Sequence, residues 1–213
     1  LSIQKFKAII DYKDSKEYVE KADLEIKKVI YKKAKAYLVY NNIENYKEAA
    51  NLFGTICDYE DSKELLENCN ERIKDLTYIK AMNLMGQKTN ESYKQAIALF
   101  KTIIGYKDSA KNVTLCEEGI TNLARQSDYD EAVRYKNNRQ YERAIETFKK
   151  ISFYKDADQQ IRLCYELIEK EKQEKYNEIL RKRTLELKQK RAKRRKVILI
   201  ILLISLIPAV FIV

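Results

Sequence analysis

Four cysteines are the residues best suited to chemistry in this sequence, yet their setting favours packing. The 213 residues include no histidine, which excludes Ser-His-Asp and Cys-His couples and any histidine metal ligand. No two cysteines have the Cys-x-x-Cys spacing of a zinc site, so we expect no metal. Three of them recur at one period, at a position that Ala22 fills in the first copy, which predicts small, buried, reduced thiols. The four are Cys57, Cys69, Cys116 and Cys164.

Carboxylates, glycines and tyrosines give no stronger sign of an active site. Carboxylate pairs such as Asp58 with Asp61 fall in polar turns or at helix starts, where helix capping explains them better than acid–base catalysis. Four scattered glycines cannot build a phosphate-binding loop. Most of the 16 tyrosines recur at repeat positions, which favours packing over stacking on nucleic-acid bases. We therefore expect no catalytic residue, no cofactor and no enzyme activity in these residues.

The net charge of +10 is concentrated near the C-terminus. Residues 181–196 hold ten basic residues and one acidic residue, which leaves 32 basic and 31 acidic residues for positions 1–180. A run of this kind attracts anionic lipid headgroups at a membrane surface. A basic nucleic-acid-binding protein is the less favoured alternative, because the apolar run that follows explains the charge without nucleic acid. The candidate lipid contacts are Lys188, Lys190, Arg191, Lys193, Arg194, Arg195 and Lys196.

Residues 197–213 are uncharged, and all but three of them are bulky and apolar. As a helix they would span roughly 25 Å at about 1.5 Å per residue, near the short end of what a bilayer core of about 30 Å requires. The sequence therefore predicts one C-terminal transmembrane helix over 197–213. The preceding basic run then places residues 1–196 in the cytoplasm, so we expect a single-pass, C-terminal membrane anchor in a lipid bilayer.

The first 170 residues repeat with a period of about 47. The string Tyr-Lys-Asp-Ser begins at Tyr12 and recurs, with small changes, 47, 94 and 142 residues later. A phenylalanine lies six residues before each of these tyrosines, and alanine or cysteine lies ten residues after. Self-similarity at such a period indicates a solenoid of stacked units. The repeat-defining residues are Phe6, Tyr12, Asp14, Phe53, Tyr59, Asp61, Cys69, Phe100, Tyr106, Asp108, Cys116, Phe148, Tyr154, Asp156 and Cys164.

Each repeat has the pattern of a short helix and a long one. Tyr46, Ala49 and Phe53 lie at i, i+3 and i+7, which is one apolar face at helical spacing. No glycine or proline interrupts residues 62–85, so we predict one long helix that continues from each repeat into the next. Asp61 is followed three residues later by Glu64, a capping-box spacing that predicts Asp61 as the cap of that helix. Asp14 with Glu17 and Asp156 with Gln159 repeat this spacing.

These motifs resemble the helix pair of tetratricopeptide repeats. Residues 46–53 carry the string Tyr-x-x-Ala-x-x-x-Phe of a short helix. Each short helix comes after a long helix, and the long helices carry Ala-x-x-Leu, as at Ala81 and Leu84. The period exceeds the usual value of about 34, which indicates a lengthened relative. The chain is more closely similar to the Tyr-Lys-Asp-Ser repeats of membrane-associated proteins of Firmicutes-type bacteria. The resemblance implies an all-α, helical-hairpin solenoid that binds protein or peptide partners.

Three segments follow from these patterns. Residues 1–170 form the repeat solenoid, with one partial and three full repeats; residues 171–196 are a charged helical linker with a polybasic patch; and residues 197–213 are the transmembrane helix. Residues 157–196 contain no glycine or proline and only a broken apolar seam. A homo-oligomer through that helix and a solvated spacer are therefore both open.

The function predicted for this architecture is a membrane-anchored scaffold for protein–protein interaction. Its partner-binding groove is expected to include exposed residues of the long helices, namely Lys35, Lys80, Asn83 and Arg134. Because the first repeat lacks its partner helix and the chain has no initiator methionine, we expect a longer parent protein. The alternative function is then a sensor or oligomerising arm of a larger signalling protein whose catalytic domain precedes Leu1.

Overall fold

The computed structural model describes residues 15–205, which form seven α-helices and no β-strand. This confirms the all-α class. Phe6, Tyr12 and Asp14, assigned to the first copy of the repeat, lie outside the described residues. The helices are α1 Ser15–Tyr37, α2 Ile43–Gly54, α3 Ser62–Gly86, α4 Asn90–Thr102, α5 Ser109–Asn137, α6 Tyr141–Lys150 and α7 Ala157–Ser205.

Long and short helices alternate, and the chain divides into two compact units. The first unit ends at Leu123 and the second begins at Ala124, within α5. In the first unit, α1 packs on α2, α2 on α3, and α3 on α4. In the second unit, α6 packs on the beginning of α7. Sequential helices therefore form the packing contacts.

Helix α3 belongs to two packing clusters at once. Its first half contributes Leu66 and Cys69 to a cluster around Phe53 of α2. Its second half contributes Ala81 to a cluster around Phe100 of α4. Because nothing breaks the helix between these halves, α3 carries one repeat into the next as the sequence predicts.

Equivalent residues of the repeats are buried in equivalent ways. Small residues sit where helices approach each other closely, and a phenylalanine fills the space beside them at native packing density. This explains why the repeat pattern is so strict at these positions and so loose elsewhere. The fully buried members include Ala34, Ala81, Ala132, Ala49, Ala96, Ala144, Phe53, Phe100, Phe148, Cys116 and Cys164, and Cys69 is 1% exposed.

The predicted transmembrane helix is wrong for the part of the chain that the structure describes. No helix within residues 15–205 is both long and apolar enough to cross a membrane. In α7 the apolar stretch Val197–Ile204 follows directly on the basic run, so a window of about 18 residues ending at Ser205 takes in many charges. Residues 206–213, the rest of the predicted span, lie outside the described residues. The expected C-terminal anchor, and the cytoplasmic localisation inferred from it, are therefore not supported.

The predicted capping role of Asp61 is also wrong. Asp61 precedes α3 with φ −90° and ψ 18°, and its side chain makes no capping hydrogen bond. An N-cap residue normally has extended backbone, which Asp61 lacks. Two of the short helices are capped by other residue types. At the start of α2, Asn42 accepts a hydrogen bond from the Asn45 amide. Thr89 and Ser92 form a reciprocal capping box at the start of α4.

Candidate functional site

A groove of about 560 Å³ lies on the first unit, where α2, α3 and α4 meet. Its apolar side chains are buried or half-buried, and most of its polar side chains are more exposed. This arrangement gives the groove an apolar floor and a polar margin. The lining residues are Ile43, Glu44, Lys47, Asn70, Ile73, Lys74, Thr77, Lys80, Leu99, Thr102 and Ile103.

Helix α3 supplies the central strip of this groove. Its lining residues begin at Asn70 and continue at i+3, i+4, i+7 and i+10, which places them along one face of the helix. Thr77 is buried in the middle of the strip, where its hydroxyl donates to the Ile73 carbonyl at 2.7 Å. The first turn of α2 and the end of α4 supply the two sides. An uninterrupted α3 is therefore what positions this surface.

The charge of the groove is positive. Lys47, Lys74 and Lys80 line it against a single acid, Glu44. Lys74 forms an ion pair with Glu71 at 2.7 Å. Within residues 15–205, Lys47 and Lys80 make no ion pair, so their ammonium groups are open to an added acidic group. The groove can thus accept apolar side chains on its floor and carboxylates at its margin.

The four predicted groove residues do not lie together. Lys80 lines the groove of the first unit. Lys35 instead donates to the Tyr31 hydroxyl at 3.3 Å and lies 5.1 Å from the centre of that ring. Asn83 is exposed further along α3, outside the groove lining, and Arg134 is exposed in the second unit. Binding by these residues remains a prediction.

Sequence reasoning missed the apolar floor. Ile43, Ile73 and Ile103 fall outside the repeat-defining positions, although Ile73 packs against the same cluster as Cys69. The signal that could have found them is the second helical face of α3, from Asn70 to Lys80, where apolar and basic residues share one stripe.

Three tyrosine–phenylalanine–tyrosine clusters recur through the fold. Tyr31 of α1 meets Phe53 and Tyr59 edge-to-face, with ring centres 5.9 and 5.6 Å apart. This geometry is favourable for aromatic pairs. These rings therefore serve packing. The equivalent clusters are Tyr78 with Phe100 and Tyr106, and Tyr129 with Phe148 and Tyr154.

Tyrosine hydroxyls tie two of the long helices to the turn that precedes the next long helix. Tyr31 donates to Asp61 at 2.6 Å, and Tyr129 donates to Asp156 at 2.5 Å. The hydrogen bond to Asp156, together with burial, raises the pKa of Tyr129 to about 12. The same bond, with a second from Gln160, lowers the pKa of Asp156 below its ordinary value. Asp61 and Asp156 thus act as acceptors between elements.

The cysteines are free thiols, and three of them are buried. Burial raises the pKa of Cys69, Cys116 and Cys164, so these thiols are less reactive than an exposed cysteine. Cys57 is exposed near the end of α2, where its Sγ lies 3.3 Å from the Gly54 carbonyl oxygen.

The polybasic segment 181–196 is helical and exposed at every position, within α7. Lys182 forms an ion pair with Glu178 at 2.7 Å. Lipid contact by residues 188–196 remains a prediction.

Comparison with known proteins adds no relative to this description. No protein-family model, no curated protein and no solved structure matches the chain. The likeness to tetratricopeptide repeats therefore rests on the internal sequence pattern alone.

Proposed function

We propose that this chain is a protein-interaction module whose α2–α3–α4 groove binds an acidic, amphipathic segment of a partner protein. The observation that carries the proposal is the combination of an apolar floor with Lys47 and Lys80, two lysines that form no ion pair with any described residue.

The expected ligand follows from the lining. An amphipathic helix places apolar residues at i, i+3, i+4 and i+7 on one face, which suits a groove floored by isoleucines. Acidic residues flanking that face would lie near Lys47, Lys74 and Lys80. Charge complementarity of this kind speeds association and excludes basic competitors. The internal repeats and their likeness to tetratricopeptide repeats support the same class of function.

A fluorescence-anisotropy titration with two designed peptides tests the proposal. Both are 16-residue amphipathic helices with the same leucine face, and they differ only in having glutamate or lysine on the flanking positions. We expect the glutamate peptide to bind the full chain at least tenfold more tightly. The advantage should fall as salt rises, because exposed charges are screened beyond about 8–10 Å at physiological ionic strength.

Two charge-reversal variants distinguish binding in the groove from a general effect of the protein's charge. Lys80→Glu lies in the groove, whereas Lys94→Glu makes the same change at an exposed position of α4 outside its lining. We expect Lys80→Glu to weaken the glutamate peptide by about fivefold, in line with about 1 kcal/mol for an exposed charge contact. Lys94→Glu should leave the affinity within twofold. Equal binding of both peptides, or equal loss in both variants, rules out this groove as the binding site.

A further inference from the structure

Helix α7 carries an exposed apolar stripe that no described element covers. From residue 172 to residue 204 every described side chain of this helix is exposed. Tyr165, Tyr176 and Leu187 are 51%, 57% and 57% exposed. They are spaced by eleven residues, close to three turns at 3.6 residues per turn, so they lie on one face. Leu180 lies between them on the same side of the helix and is 41% exposed.

The charge of α7 is polarised along its length. Residues 157–180 hold six acidic and four basic residues, whereas residues 181–196 hold ten basic residues and one acidic residue. Two such helices side by side in parallel would place the basic segments next to each other. Reversing one helix would bring each basic segment beside the acidic half of the other.

We propose that the exposed stripe of α7 pairs with the same stripe of a second copy of this chain, antiparallel and centred near Tyr176. In that register Tyr165 faces Leu187, because each lies eleven residues from the centre. Glu169 faces Arg183, each seven residues from the centre, which pairs opposite charges on the same face. Glu169 lies 3.5 Å from Lys172 within its own helix, an exposed contact that is readily exchanged.

The charge and the spacing support the same arrangement independently. A parallel pair would set Arg183 against Arg183 within the apolar stripe, where like charges oppose pairing. The antiparallel pair replaces that contact with two Glu169–Arg183 contacts related by the two-fold axis. This self-association does not depend on the groove of the first unit.

Sedimentation equilibrium of the full chain between about 1 and 200 μM provides the first test. We expect a reversible monomer–dimer equilibrium. Tyr176→Asp places two like charges at the centre of the pairing and should weaken the dimer at least tenfold. The matched control is Leu185→Asp, because Leu185 is 58% exposed yet lies half a helical turn away from the stripe. The control should change the dissociation constant less than twofold.

Cysteine cross-linking provides the second test, in a Cys57→Ser background that removes the exposed thiol. A mixture of Tyr165→Cys and Leu187→Cys chains should form the mixed disulfide faster than either chain cross-links to itself. Faster Tyr165→Cys self-cross-linking means a parallel pair and overturns the proposal. A monomer at 200 μM, or equal effects of Tyr176→Asp and Leu185→Asp, overturns it as well.

Discussion

Three long helices begin with a residue at the same buried position of the repeat. The three residues differ in whether they carry a hydroxyl and in whether that hydroxyl is hydrogen-bonded. Ser62 has a buried Oγ with no hydrogen-bond partner among residues 15–205. Ser109 donates its Oγ to the Tyr106 carbonyl at 2.6 Å. Ala157 carries no hydroxyl at this position and is fully buried. The position therefore requires a small residue, and a hydroxyl stabilises it only when it is bonded.

Alanine at these two serines should have different effects on stability. An unpartnered buried hydroxyl is unfavourable, so Ser62→Ala should leave the free energy of unfolding unchanged or raise it by up to about 1 kcal/mol. Ser109→Ala removes an existing hydrogen bond and should lower the free energy of unfolding by about 1 kcal/mol. Urea titrations followed by circular dichroism measure both. A loss at Ser62 as large as that at Ser109 would show that Ser62 has a partner.

The Tyr129–Asp156 bond should make stability depend on pH at both ends of the scale. The pKa of Tyr129 is raised to about 12, from about 10 when unfolded, so its contribution is full below pH 10 and is lost as pH rises towards 12. The pKa of Asp156 is lowered, so its contribution is present above about pH 4 and is lost as pH falls.

Tyr129→Phe isolates this effect. The difference in unfolding free energy between wild type and Tyr129→Phe should be constant from pH 6 to 9 and shrink between pH 10 and 12. Tyr154→Phe is the control, because the Tyr154 hydroxyl donates to the uncharged Gln126 side chain at 2.9 Å. If the Tyr129 difference does not change up to pH 12, the pKa of Tyr129 is not raised.

At the scale of the element, the turns before α3, α5 and α7 each contain a left-handed residue. Glu60, Lys107 and Lys155, the second residues of their repeat strings, have φ of 47°, 46° and 51°. Such values are uncommon for residues other than glycine. Lys107 offsets this cost through an ion pair with Asp75 at 2.5 Å and through the rings of Tyr78 and Tyr106. Glu60 makes no such contact within the described residues.

Glycine should therefore raise the free energy of unfolding when it replaces Glu60 but not when it replaces Lys107. Glu60→Gly relieves the left-handed conformation and should raise the free energy of unfolding by roughly 0.5–1 kcal/mol. Lys107→Gly relieves the same conformation but removes the contacts with Asp75 and the tyrosines, so we expect no gain. Thermal and urea unfolding compare the two variants. A similar loss in both would mean that the side chain at this position matters more than its backbone.

Sequence periodicity predicts the helices well because burial repeats with them. The long helix over residues 62–85 and the short helices around Phe53 and Phe100 follow from the spacing of tyrosine, alanine and phenylalanine. The capping prediction for Asp61 fails because two roles share one residue pattern. Aspartate before a helix suits an N-cap, but a tyrosine from the preceding long helix can also reach it. Tertiary packing decides which of these two roles the aspartate takes, and the sequence pattern alone does not specify that packing.

At the scale of the whole molecule, the predicted all-α class and the predicted transmembrane helix had different outcomes. The all-α class follows from composition and period, and it is confirmed. The transmembrane helix follows from an apolar stretch at the end of the chain, and no helix of residues 15–205 supports it. The groove could be predicted only in part: Lys80 is exposed on a long helix, but its neighbours from α2 and α4 come together only through folding.

Because α3 packs in one repeat with its first half and in the next with its second, a change in its length alters two interfaces at once. Each residue inserted or lost turns everything beyond it by about 100°. A deletion of residues 62–108 avoids this, since it joins Asp61 to Ser109 and replaces one turn-to-helix junction by its equivalent. Such an array would therefore lengthen or shorten by whole repeats. The insertion or deletion can begin at any position of the repeat, provided that its length is one full period.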